Sequence, residues 1–281
     1  MTSIFEKLDS NRDFFTCCLP VKGDPSKVLL GTENGSIYLG TLLDIEAIKN
    51  IKFNGNRLSN VLLNIEVKYK VKGSIRQIEY LNEKIIVFIT DQGEICAIDY
   101  QSSKLLFIQE FKGTKYQRPW RMLILNNKRF ITIGNYRRID LWKYENGHFH
   151  CKEINYGGYP LFCIDYIDNE RKTFLINGND GWTGYYRKSN LRIRKYSNVK
   201  HVTSKNLQKI YYAEDYGCIF SIDYWGSIHI FQLSDRNILE KLEEFNITSS
   251  DRGNWVYYSQ ETNEVLIGTD DELFTFSKEK R

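Results

Sequence analysis

The sequence predicts an all-β chain folded as a six-bladed β-propeller. Three observations predict it: one hairpin pattern recurs six times, its copies are evenly spaced, and each copy has flanking segments able to supply two further strands. The copies are KVLLGTENGSIYLGTL from Lys27, KIIVFITDQGEICAIDY from Lys84, RFITIGNYRRIDLWKY from Arg129, TFLINGNDGWTGYYRK from Thr173, CIFSIDYWGSIHIFQL from Cys218 and EVLIGTDDELFTFSK from Glu264.

Spacing is read at the first β residue after each turn: Ile37, Ile95, Ile139, Thr183, Ile228 and Leu273. The intervals are 58, 44, 44, 45 and 45 residues, the last four within the period of a four-stranded blade. The longer first interval calls for an insertion, placed at 44–59, where DIEAIKNIKFNGNRLS breaks the strand pattern. One domain, 1–281, with six blades rather than seven, accommodates all of this.

Each element has its own signal. Asn34-Gly35, Asn179-Asp180-Gly181 and Tyr224-Trp225-Gly226 put Gly or Asn where a tight reversal needs positive φ. Around them polar and apolar residues alternate: Ile139 and Leu141 sit between Arg138, Asp140 and Lys143. Inner strands are expected at SIRQIEYL from Ser74, PWRMLIL from Pro119, PLFCIDYI from Pro160 and NWVYYS from Asn254. Outer strands are expected at LLFIQEF from Leu105, HFHCKEI from His148, LRIRKY from Leu191 and ILEKLEEF from Ile238. The last copy stops after its third strand, and SIFEKL (Ser3–Leu8) is a spare β-capable segment. The expectation is that this N-terminal strand joins the last blade and closes the ring.

Arg137–Gly147, RRIDLWKYENG, resembles the third strand of a WD repeat, with Leu141-Trp142-Lys143 where such repeats end in Trp-Asp. The Asp-Gly-type turns resemble the same family. The family's Gly-His pair is absent from every copy, Asp never follows the Trp, and one copy alone has Trp at that place. The resemblance therefore implies a degenerate propeller and a scaffolding role. It does not transfer the family's buried His–Asp–Ser/Thr–Trp network.

Composition narrows the function classes. Charged residues are 26% and aromatics 14% of the chain, unlike a disordered protein. The six cysteines form no C-x-x-C pair, and no leader or membrane-spanning run is seen, so a cytoplasmic chain with reduced thiols is expected. No G-x-x-x-x-G-K-[ST], G-x-G-x-x-G or G-x-S-x-G motif occurs. His148 and His150 would share one side of an outer strand, which reads as a solvated face and not a metal site. Asp270-Asp271-Glu272 and Glu214-Asp215 are turn acids, though carboxylates converging on an axis would make a hydrolase. No catalytic residue, metal or cofactor is expected.

The positive expectation is a binding face. In a propeller the hairpin turns and the connections into the inner strands share one face. The turns carry Tyr136, Arg137, Trp182, Tyr224 and Trp225. The connections carry Tyr116, Arg118, Trp120, Tyr156, Tyr159 and Trp255. Tyr, Trp and Arg dominate binding hot spots. Trp120 and Trp255, at equivalent places, could equally plug between blades.

A second feature is charge. Residues 181–213 hold eight Lys or Arg and no acid, leaving the rest of the chain net acidic by four. Arg187, Lys188, Arg192, Arg194, Lys195 and Lys200 form the patch, which either guards a strand edge or meets phosphates or acidic protein. The reading is a protein-interaction module, a subunit of a larger complex. The alternatives are an RNA- or DNA-contacting subunit and a hydrolase with axial carboxylates.

Overall fold

The computed structural model describes residues 15–42, 62–110, 118–155, 160–167, 173–178, 183–187, 207–213, 217–223, 225–233, 239–246, 253–259, 264–269 and 273–277. They form six antiparallel sheets in chain order. The first is β1 (Phe15–Pro20), β2 (Lys27–Thr32), β3 (Ser36–Leu42) and β4 (Leu62–Lys70). The second is β5 (Ile75–Tyr80), β6 (Ile85–Thr90), β7 (Glu94–Asp99) and β8 (Lys104–Glu110). The third holds β9 (Pro119–Asn126), β10 (Arg129–Gly134), β11 (Tyr136–Glu145) and β12 (His148–Asn155). The fourth holds β13 (Leu161–Tyr166), β14 (Thr173–Gly178) and β15 (Thr183–Arg187). The fifth is β16 (Leu207–Ala213), β17 (Cys218–Asp223), β18 (Ser227–Leu233) and β19 (Leu239–Asn246). The sixth is β20 (Gly253–Ser259), β21 (Glu264–Thr269) and β22 (Leu273–Ser277).

Each sheet is a meander of sequential neighbours. The extra length in the first repeat lies between β3 and β4, where residues 43–61 stand; only 100–103 stand between β7 and β8. Residues 44–59, the N-terminal segment 3–8 and the strand expected from Leu191 lie outside the described residues. By packing, the chain divides into two compact units, Met1–Ile131 with Leu141–Lys152, and Thr132–Asp140 with Glu153–Arg281.

The repeat extends to irregularities. The first strand of five sheets carries a register shift at its second residue: Thr16, Arg76, Phe162, Gln208 and Asn254. A bulge there adds local twist to the strand and re-aims one side chain.

In the first unit, β6 explains the packing. Its sequence, IIVFIT, is buried throughout because alternate residues serve opposite faces. Ile86 and Phe88 join Leu29, Ile37, Ile75, Ile78, Cys96 and Ile98. Val87 and Ile89 join Ile95, Ala97, Met122, Phe130 and Trp142 on the other side. Trp142, which carried the resemblance, is buried here, stacked on Phe130 at 5.9 Å between centroids and edge-on to Phe107.

Polar side chains join successive sheets in this unit. Thr16 Oγ1 donates to the Ile75 carbonyl. Gln77 on β5 binds the backbone of Met122 on β9 twice: its Nε2 donates to the carbonyl at 2.9 Å and its Oε1 accepts the N–H at 2.8 Å. The amide thus substitutes for a strand partner. Gln77→Leu should lower stability by about 2 kcal/mol, because two backbone groups lose their partner. Chemical denaturation would show it as a lower midpoint at unchanged slope.

The second unit repeats the pattern. Cys163, Ile167 and Leu175 pack against Leu207, Ile210, Ile219 and Phe231. Lys209 on β16 pairs with Asp165 on β13 at 3.5 Å. Among the described residues no helix is long and apolar enough to cross a membrane.

Candidate functional site

Candidate sites lie at the turns between second and third strands, taken within each unit. Three of them share a design. Thr32, Thr90 and Asp223 each end a second strand, and their carbonyls accept the N–H of Gly35, Gly93 and Gly226 at 3.2 Å. Each Gly has φ near +80 to +90°: 84° at Gly35, 92° at Gly93 and 79° at Gly226. The side chain at the turn's first residue then accepts the N–H four residues on. Thr32 Oγ1 takes that of Ser36 at 3.0 Å, Thr90 Oγ1 that of Glu94 at 3.1 Å, and Asp223 Oδ1 that of Ser227 at 2.9 Å.

In the first unit these turns lie against the connections into the inner strands. Val71 N–H donates to the Gly35 carbonyl at 2.9 Å. Asp91, in the β6–β7 turn, accepts the Ser74 N–H on its carboxylate at 2.8 Å and donates its own N–H to the Ser74 carbonyl at 2.8 Å. Arg118, just before β9, donates from Nη1 to the Asp91 carbonyl. Turn and connection residues therefore sit together at this end of the sheets.

In the second unit the fifth turn begins with Asp where the other two begin with Thr. Asp223 Oδ1 accepts the Trp225 N–H at 2.8 Å as well as that of Ser227. Its Oδ2 lies 3.0 Å from His229 Nε2, and both side chains are fully buried. His229 Nδ1 is 3.8 Å from Glu244 on β19, and its ring stacks on Phe231. Burial pushes the Asp223 carboxyl up; the bonds from His229, Ser227 and Trp225 outweigh it and leave it below the usual carboxylate range. Outside this lock stands Trp225, 62% exposed.

Ser221, Asp223 and His229 lie on one face of the β17–β18 hairpin, the residue types of a nucleophilic triad. All three are 0% exposed, so a substrate has no approach, and Asp223 with His229 supports the turn. Two of the thiols packed in the core are poor nucleophiles: burial pushes Cys17 up to about 12 and raises Cys96. His148 and His150 are exposed on β12 with Phe149 turned inward between them. No metal-ligating cluster occurs among the described residues.

The third turn departs from expectation. Only Asn135 separates β10 from β11, so Tyr136 begins a strand and is 5% exposed instead of standing at an exposed tip. Its hydroxyl donates to Thr132 Oγ1 at 3.1 Å, and its ring lies under the Arg138 guanidinium at 5.4 Å. Arg138 in turn bonds Asp140 (2.9 Å) and Glu153 (2.9 Å). Burial drives the Asp140 carboxyl up to about 6 against the pull of Arg138.

Because the fold holds Asp140 more tightly when protonated, its contribution to stability is fully present below about pH 4 and is lost as pH rises toward 6. Asp140→Asn removes that titration. Relative to wild type the variant should gain about 2–3 kcal/mol between pH 4 and pH 7. Parallel denaturation curves at the two pH values would check this, and a constant difference would refute it.

Trp120, expected in a connection, is the second residue of β9 and is half-buried. Arg137, Trp255 and Arg187 are placed by strand alone, in β11, β20 and β15. Tyr116, Tyr156, Tyr159, Trp182 and Tyr224 lie outside the described residues. So do Lys188, Arg192, Arg194, Lys195 and Lys200, and the acids Glu214, Asp215, Asp270, Asp271 and Glu272. Sequence reasoning missed Asp223 and His229. Aligning Thr32, Thr90 and Asp223 at their turns was the available signal.

No known family profile and no curated protein matches the chain. Solved structures do. One is a chain in the crystal structure of a mitotic checkpoint complex, with TM-score 0.70 and 11% identity, covering 96% of this chain and 78% of that one. Another is the Cps50 (Swd1) β-propeller domain of Myceliophteria thermophila, with TM-score 0.68 and 11% identity, covering 94% and 83%. The fold is a β-propeller. In this propeller the Thr/Asp-to-Gly turns described above are the repeated tips, and the fifth tip alone among the described ones is held by a buried Asp–His pair.

Proposed function

We propose that this propeller is a non-catalytic interaction module, a subunit of a larger complex inside the cell, that docks a protein partner on its hairpin-turn face. The observation that carries the reading is the fifth turn: a large indole is held out into solvent on a turn locked by buried charge. Rigid loops bearing exposed aromatics suit binding, because little entropy is lost when they dock. Of the two similar solved structures named above, one is a β-propeller domain and the other comes from a multiprotein complex, which favours a scaffold over an enzyme.

The test is purification of the tagged chain from its native cells at low and high salt, with size exclusion and crosslinking. The reading expects a stoichiometric protein partner retained at both. A nucleic acid lost steeply with salt would favour the basic residues of 181–213 as the contact instead. A chain that elutes alone at both salts would refute the proposal.

A further inference from the structure

Resting on that reading, we propose that Trp225 is the anchor of the docking face, an indole preset by Asp223 and His229 to enter an apolar pocket on the partner protein. The argument is a comparison among this chain's own turns. At the first and second turns a neutral Thr accepts the N–H four residues on. The tip residues there are polar: Glu33 and Asn34, Asp91 and Gln92. At the fifth, a carboxylate takes that same bond, adds one to the N–H of the tip Trp, and is itself tied to a buried imidazole.

Burying a carboxylate and an imidazole carries a desolvation cost that a Thr avoids. Among the described turns, the extra rigidity falls on the one whose tip is a large, exposed apolar side chain. A fixed tip loses less freedom on docking, and an indole buries more area than any other side chain, which together describe a hot spot. Asp223 and His229 are positioning residues here; neither reaches the surface.

The experiment uses the full chain and the partner recovered in the complex. Trp225→Ala should weaken affinity by at least thirtyfold with the melting temperature unchanged, and Trp225→Phe should fall between. His229→Asn should weaken it three- to tenfold, as the turn loosens while the indole remains. Leu242→Ala, exposed on β19 at the outer edge of the fifth sheet, should bind as wild type. If His229→Asn does not fold, hydrogen exchange on the free wild-type chain decides the positioning claim. Slow exchange at the Trp225 and Ser227 amides supports it and fast exchange overturns it. Wild-type affinity in Trp225→Ala overturns the anchor while leaving the docking module standing. Absence of any stoichiometric partner overturns both.

Discussion

Asp223→Ala should destabilise the protein by about 4 kcal/mol. The substitution leaves the amides of Trp225 and Ser227 without their acceptor and His229 Nε2 without its carboxylate. Each buried polar group so stranded costs about 1–3 kcal/mol. Asp223→Asn keeps an acceptor for the turn and should lose less.

Both variants also differ from wild type in their pH dependence. The Asp223 carboxyl titrates below its unfolded value, so its stabilisation is complete above the unfolded pKa and fades as pH falls through the folded one. Wild type should therefore lose stability on acidification that neither variant loses. Denaturant midpoints at neutral pH, with Asp223→Ala within about 1 kcal/mol of wild type, would contradict the role given to the turn.

Gly35→Ala carries the second large effect, about 3 kcal/mol or more. The backbone at Gly35 is left-handed, φ 84°, where an L side chain costs about 1–2 kcal/mol. A Cβ there would also stand 2.3 Å from the Val71 carbonyl oxygen and 2.6 Å from that of Gly73. Both are backbone atoms, so the connection into β5 must move, and the Val71–Gly35 hydrogen bond moves with it. Gly147 separates the two contributions. It has φ 82° with open space around it, so Gly147→Ala should show the backbone cost alone. Thermal melts of both variants would test this, and equal shifts would mean that the packing of turn against connection carries no energy.

Much of this fold was legible because turn chemistry repeats. Asn34-Gly35 and Trp225-Gly226 announced positive-φ glycines, and both are found. The inner strands expected from Ser74, Pro119, Pro160 and Asn254 are present, as are the outer strands expected near 105, 148 and 238. Three strands expected by count had no segment assigned to them in the sequence. β1 holds two adjacent cysteines and ends in Pro, β4 follows the 43–61 segment, and β16 interrupts its apolar residues with Gln208 and Lys209.

The site was less legible, for a physical reason. Tyr136 looked like a turn tip because Asn135-Tyr136-Arg137 has turn composition, yet its ring is spent on Thr132 and Arg138. Asp223 and His229 are six residues apart and meet only because β17 and β18 pair in a register that puts Ser221 opposite His229. The charged stretch 181–213 announced itself by composition, but composition cannot say what a solvated cation meets.

Hydrogen exchange across the isolated complex, compared with the free chain, tests the central claim most directly. Docking through the fifth turn predicts that protection on binding gathers at 225–227, with the outer strand β19 unchanged. Protection on β19 with that turn exchanging as before would contradict it.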